Sequence, residues 1–205
     1  MSQLDEMNIQ WFPGHMTKTR RYIEKNISIV DIVAETVDAR CIRSSQNPDF
    51  DSLLKNKPRL MIITKSDLAD PAITSKWVEK FKKDGKTVIC VDLKKKVNTD
   101  KILPLVRSVL GETIERYANK GMRKTIRLMI CGIPNSGKST LINILCKRRA
   151  VIAEDRPGVT RGGQWVTLSS DIELLDTPGI LWPKFEDQSV GLNLAYTGAV
   201  KDDIL

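Results

Sequence analysis

Five short stretches hold residues whose types and spacing suit phosphate and base chemistry. "GIPNSGKS", residues 132–139, has the spacing G-x-x-x-x-G-K-[ST]. Gly132 and Gly137 let the backbone wrap so that N–H groups face an anion, and a following helix N-terminus adds positive partial charge. Lys138 then reaches the β and γ phosphates, and the Ser139 hydroxyl is a ligand for Mg²⁺. Asn135, Ser136 and Gly137 in the loop, and Thr140 after it, are assigned to the nucleotide as well. "DTPG", 176–179, follows about 40 residues later with an apolar strand pair between, the context in which a weak D-x-x-G gains meaning. Asp176 is placed to hold Mg²⁺ through water, and the Gly179 N–H to meet the γ-phosphate. "RPGVTR", 156–161, lies between the two motifs, so Thr160 offers a second hydroxyl to Mg²⁺ by position alone.

The other two stretches suit a base. "TKSD", 64–67, ends an apolar run. The Asp67 carboxylate matches the N1–H and N2–H₂ donors of guanine, a pair that adenine lacks at that edge, and a buried carboxylate left unpaired discriminates strongly. The Lys65 stem can pack on the ring, with Thr64 before it. In "VDLK", 91–94, the Leu93 N–H is directed at guanine O6, with Asp92 and Lys94 beside it.

Strands must carry these motifs to one edge. "ISIVDIVAETVDAR" (27–40), "RLMIITKSD" (59–67), "KTVICVDLK" (86–94) and "TIRLMICG" (125–132) read as buried strands, rich in Val, Ile and Leu without clean alternation. Helix patterns fall near 74–84 and 99–118, and another from Lys138 to about Arg148. "QWVTLSS" and "DIELLDTPG" read as an adjacent strand pair turning near Ser170 and Asp171, and 119–124 as a connector between two halves of one sheet. Alternating strands and helices imply parallel βαβ units in an α/β domain of three layers.

Composition narrows the setting. Hydrophobic residues make up 41% of 205, enough for a sizeable core. Lys and Arg total 33 against 25 Asp and Glu, a formal +8, which favours polyanionic partners or is a solvated basic surface. The four cysteines (Cys41, Cys90, Cys131, Cys146) are far apart and show neither zinc spacing nor a disulfide framework. No apolar run approaches the ~18 residues of a membrane span and no secretory signal opens the chain, so a reduced cytoplasmic setting is expected.

The motif order, base motifs first and then P-loop, Thr160 and DTPG, resembles a translation-factor-class GTPase that has been circularly permuted. Every motif still ends its own strand, so only loop connections change. Together with "WFPGHM", 11–16, the order resembles the ribosome biogenesis GTPase A (RbgA/YlqF) family over nearly the whole chain. Permuted relatives with an OB-fold and zinc site, or a CxxC finger, match less well. Thr64 stands where Asn is commoner, and Asp92 and Leu93 where small residues are usual. The resemblance implies a three-layer P-loop GTPase domain with a mostly parallel sheet over 27–200. Before it come an N-terminal loop and basic amphipathic helix, 1–26, packed on the domain. The family continues into a helical RNA-binding domain, so 201–205 is expected to begin a C-terminal segment that is truncated here. The implied function is a GTP-hydrolysing switch, alternating between GTP and GDP, that assists late assembly of the large (50S) ribosomal subunit. It implies Mg²⁺, a large-subunit precursor and rRNA as partners, and no membrane; a monomer is expected. The other readings are a GTP-gated RNA-binding module with incidental hydrolysis, which turnover with ribosomal particles separates, and a P-loop ATPase or kinase, against which Asp67 argues.

Three further expectations stay open between a functional and a bland reading. Asn135 holds the position where potassium-activated GTPases carry Asn, so its amide oxygen either binds K⁺ or merely suits the turn. Lys18, Arg21 and Lys25 share a helix face opposite Met16, Ile23 and Ile27, and Lys147, Arg148 and Arg149 form a second basic group; either rRNA or solvent meets them. Ile180 follows Gly179 where conventional GTPases often place a water-orienting Gln. The only histidine, His15, is the candidate for that catalytic task. A helix from 15 to about 26 that leads into the first strand spans roughly 17 Å and returns His15 to the nucleotide edge. The bland reading is a histidine that only starts a helix.

Overall fold

The computed structural model describes residues 12–54, 57–147 and 165–200. Helix α1 (Gly14–Asn26) leads to strand β1 (Ile32–Asp38), a short helix α2 (Phe50–Leu53), β2 (Arg59–Thr64), α3 (Pro71–Lys83) and β3 (Thr87–Cys90). Next come α4 (Ile102–Val109), α5 (Gly111–Ala118), β4 (Ile126–Gly132), α6 (Lys138–Leu145), β5 (Trp165–Ser169), β6 (Ile172–Asp176) and α7 (Gln188–Tyr196).

The strands form one six-stranded sheet in the order β3-β2-β1-β4-β6-β5. All pairings are parallel except β5 with β6, the hairpin that turns at Ser170 and Asp171. All seven residues of β1 are buried, as a central strand covered on both faces requires. Ile32, Ala34, Leu60, Ile62, Leu128 and Ile130 pack against Ile102 and Val106 of α4 and Leu141 and Ile142 of α6. On the other face Val33, Met129, Cys131 and Leu175 meet Met16 and Ile23 of α1, Phe50 and Leu54 around α2, and Leu194 of α7. Farther along that face Val37, Met61 and Ile63 meet Phe81 of α3. The layers are therefore helix, sheet, helix. No helix among the described residues is long and apolar enough to cross a membrane.

Several boundaries differ from the sequence reading. The strand read over 27–40 begins only at Ile32; Ile27–Ile29 form a 3₁₀ turn in which Ile27 is buried and Ile29 exposed. The helix read over 99–118 is two helices, parted at Leu110 and Gly111, where Leu110 leaves helical geometry at φ −100° and ψ 13°. The strand over 86–94 stops at Cys90. Asp92 then pairs with Val97 in a tight hairpin tip that holds Lys94, Lys95 and Lys96. Helix α6 ends at Leu145 rather than near Arg148. The sequence reading passed over α2 and α7 altogether.

Register sets the site. Asp38 lies opposite Thr64, Thr36 opposite Gly132, Ile63 opposite Cys90 and Ile130 opposite Asp176. The loops that follow β1, β2, β3, β4 and β6 thus open at one edge, the C-terminal edge of the parallel strands, where α/β sheets hold ligands.

Candidate nucleotide site

The loop from Gly132 to Gly137 is held from below by its neighbours. At Gly132, with φ +152°, a Cβ would lie 2.7 Å from the Thr36 carbonyl oxygen, so only glycine fits against β1. Gly137, at φ +86°, is the residue before α6 and turns the chain into the helix. The hydroxyls of Ser136 and Thr36 are 2.6 Å apart, and Ser136 Oγ also donates to the Ile133 carbonyl at 2.8 Å. Thr64 Oγ1 donates to the Ser136 carbonyl at 2.8 Å. A threonine hydroxyl thus ties the base motif to the phosphate loop at the position where Asn is commoner.

Lys138 is buried and folds back, Nζ donating to the Ile133 carbonyl at 2.6 Å. Burial lowers its pKa against the pull of Asp176. Asp176 is 1% exposed, and neither of its carboxylate oxygens has a hydrogen-bond partner among the described residues. Burial pushes its carboxyl up to about 6, and the Lys138 charge opposes the rise. A buried carboxylate without a partner is costly, and a hard cation removes that cost. Asp176 and the half-buried Ser139 hydroxyl at the start of α6 therefore suit Mg²⁺. Thr160 lies outside the described residues.

The DTPG loop folds over the phosphate loop. Thr177 Oγ1 donates to the Ile130 carbonyl at 2.7 Å, and the Ile180 N–H to the Gly132 carbonyl at 3.2 Å. Gly179 sits directly against Pro134.

At the base end, Lys65 adopts a left-handed backbone, φ 58°. Its Nζ donates to the Asn135 carbonyl at 2.5 Å and lies 3.2 Å from Asp38 Oδ2. Asp67 Oδ2 is 3.6 Å from Lys94 Nζ. Asp92 Oδ1 accepts from the N–H groups of Lys94 and Lys95 at 2.8 and 2.9 Å, so this side chain shapes the hairpin tip and leaves the base to its neighbours. Leu93 is buried beside Gly137. Thr140 faces a groove of about 900 Å³ between α6 and α4, which Leu93 and Lys96 also line.

His15 is exposed in the first turn of α1, its carbonyl accepting from Thr19 Oγ1 at 3.1 Å. Lys18, Arg21, Lys25 and Lys147 are exposed; Arg148 and Arg149 lie outside the described residues.

Sequence reasoning missed two groups at this edge. Asp38 and Arg40, in "VDAR" at the end of β1, form a two-pronged ion pair beside Lys65. The end of α7 also reaches the site: the Gly198 carbonyl accepts from Asn135 Nδ2 at 2.7 Å and the Thr197 carbonyl from Arg40 Nη2 at 3.2 Å. A charged Asp closing an apolar run was the one available sign of the first group; nothing local marked the second.

The "50S ribosome-binding GTPase" family model matches residues 127–205. Ribosome biogenesis GTPase A of Bacillus licheniformis is 50% identical over 200 residues, which cover 97% of this chain and 71% of that protein. The protein of the same name from Priestia megaterium is 48% identical over 201 residues, covering 97% and 70%. Among solved structures, GNP-bound YlqF from Thermotoga maritima is similar with a TM-score of 0.65 at 30% identity, covering 92% of this chain and 69% of that one.

Proposed function

The chain belongs to the ribosome biogenesis GTPase A family, and on that premise we propose that it is a GTP-hydrolysing switch in late assembly of the large ribosomal subunit. The reaction is attack of water on the γ-phosphate, with the GTP and GDP states differing in affinity for the particle. The observation that carries this reading is the buried carboxylate of Asp176, without a side-chain hydrogen-bond partner among the described residues, beside Lys138 and one strand from a glycine-shaped phosphate loop.

The roles of the residues follow from where they stand. Backbone N–H groups of 135–139 and Lys138 cradle the phosphates, and Thr140 continues that wall. Asp176, Ser139 and Thr160 would hold Mg²⁺, which when bound neutralises charge across the β and γ phosphates. The Gly179 N–H meets the γ-phosphate. Asp67 reads guanine N1–H and N2–H₂, Lys65 packs on the ring, and the Leu93 N–H faces O6. Asn135 Nδ2 donates to the Gly198 carbonyl, and the amide oxygen is the group assigned to a K⁺ ion. His15 orients the attacking water, in place of the Gln that Ile180 replaces. The exposed Lys18, Arg21 and Lys25 stripe on α1 meets rRNA, and the protein works as a monomer in the cytoplasm.

The test is GTP turnover with purified large subunits, small subunits and no particles. We expect stimulation of at least about tenfold by large subunits alone, since a completed catalytic constellation is worth 10²–10⁴-fold. Equal turnover in all three conditions would leave a nucleotide-gated RNA-binding module as the better description.

A further inference from the structure

Asp38 closes β1 and is 1% exposed, opposite Thr64 in the register. A carboxylate so buried requires partners. Arg40 supplies two prongs, Nε to Oδ1 at 2.9 Å and Nη2 to Oδ2 at 2.7 Å, and its own N–H donates to Oδ1 at 3.0 Å. The second partner is Lys65, whose Nζ lies 3.2 Å from Oδ2. Burial alone would raise the Asp38 carboxyl; the Arg40 hydrogen bonds and the Lys65 charge hold it below the usual carboxylate range, so it is ionised.

The consequence falls on Lys65. A lysine is a point charge on a flexible four-carbon stem, and holding it in one pose costs rotamer entropy. Here the stem leaves a left-handed backbone and its ammonium is fixed between Asp38 Oδ2 and the Asn135 carbonyl. The Arg40 guanidinium is itself braced, because Nη2 also donates to the Thr197 carbonyl at the end of α7. A single bridge to Asn135 would leave Lys65 able to swing. Two anchors, one at the end of β1 and one in the phosphate loop, define a line along the base edge.

We propose that Asp38, braced by Arg40, is a positioning residue for guanine binding, which holds the Lys65 stem in the pose that stacks on the ring. This rests on the reading of "TKSD" as the base motif. Arg40 neutralises the charge of Asp38 that Lys65 does not, so the pair can be buried without drawing the ammonium off the Asn135 carbonyl.

The test is a double-mutant cycle on GDP affinity in the full chain, with thermal unfolding recorded for each variant. Lys65→Met keeps the apolar stem length and removes the anchored charge. We expect Lys65→Met to weaken GDP about tenfold and Asp38→Asn about fivefold, with the double variant within about twofold of Lys65→Met, because contacting residues that act as one are non-additive. Arg40→Lys should restore more affinity than Arg40→Gln. Full additivity of Asp38→Asn and Lys65→Met would overturn the proposal, since a merely structural Asp38 would weaken binding whatever stands at 65. Unchanged affinity in Asp38→Asn would overturn it equally. Unchanged affinity in Lys65→Met would instead remove the base-motif reading, and the proposal with it. If Asp38→Asn fails to fold, the Arg40→Gln and Lys65→Met cycle carries the same comparison.

Discussion

A Cβ on Gly179 would lie 2.7 Å from both the N and the Cα of Pro134. The DTPG loop and the phosphate loop, proposed to flank the γ-phosphate, are therefore packed backbone to backbone, and the glycine is required by that approach. Gly179→Ala must push the DTPG loop away from the phosphate loop, because Pro134 backbone has nowhere to go. GDP needs no γ-phosphate contact, so its affinity should stay within about threefold. Turnover with large subunits should fall about tenfold or more, as small misplacements at a reacting centre are costly. Single-turnover hydrolysis alongside GDP titration separates the two effects. Wild-type turnover in this variant would remove Gly179 from the γ-phosphate.

Asp176 makes a prediction in pH. Its folded carboxyl is raised to about 6, above the ordinary value of 3.8, chiefly by burial. Between those values the native chain keeps a proton that the unfolded chain has released. Stability from this group is therefore full below the unfolded value and is lost as pH rises through the folded one. Asp176→Asn has no such proton to lose. In urea unfolding without nucleotide, the variant should gain on the wild type as pH rises from about 4 to about 7, then level off. A difference that does not change with pH would mean that Asp176 is not strained by burial. Adding Mg²⁺ to the GDP-bound chain should stabilise the wild type further and the variant little.

What the sequence made legible, and what it hid, divides along range. The phosphate loop and "TKSD" were readable because each is a local pattern whose chemistry depends on near neighbours. Asp38 was hidden because its meaning comes from Lys65, 27 positions on and across a strand pair. Arg40 was hidden for the same reason, since it answers to Thr197, 157 positions away. Helix α7 escaped notice because Gly191, Leu194 and Ala195 are buried together on a short segment that carries little polar contrast. The long helix read over 99–118 failed at Gly111, where low helix propensity decides a break that periodicity alone bridges.

Asn135 carries an ionic prediction. It has a left-handed backbone, φ 56°, and its Nδ2 donates to the Gly198 carbonyl at 2.7 Å. If the amide oxygen binds K⁺ beside the transferring phosphate, the ion supplies charge neutralisation that an arginine finger gives elsewhere. Turnover in KCl should exceed that in NaCl about fivefold or more, a small share of the roughly 10³–10⁵-fold that an arginine finger supplies. Asn135→Asp should alter that ratio, and Asn135→Ala should abolish it. Equal rates in the two salts would leave Asn135 as a turn residue held by α7.

The Leu181 N–H donates to the Met16 sulfur at 3.4 Å. That contact puts the first turn of α1 against the loop that follows DTPG, one residue from His15 and two from Gly179. Helix α1 leads back through Ile27 and Val30, both buried, to the opposite end of β1. It thus lies antiparallel to that strand, with His15 at the nucleotide edge. His15 is exposed there, while its neighbour Met16 is buried in the apolar core. Catalytic contacts often tighten only in the active complex, and Gly14 gives the entry to α1 room to turn. His15→Ala should leave GTP and GDP affinity near wild type and lower turnover with saturating large subunits at least about tenfold, the scale of a lost general base. Met16→Ala is the companion variant. It opens a cavity beneath the same turn and should cost about 2–5 kcal/mol of stability while also lowering stimulated turnover. If His15→Ala keeps full stimulated turnover while Met16→Ala loses it, the helix matters for packing against Leu181 and the imidazole does not touch the reaction.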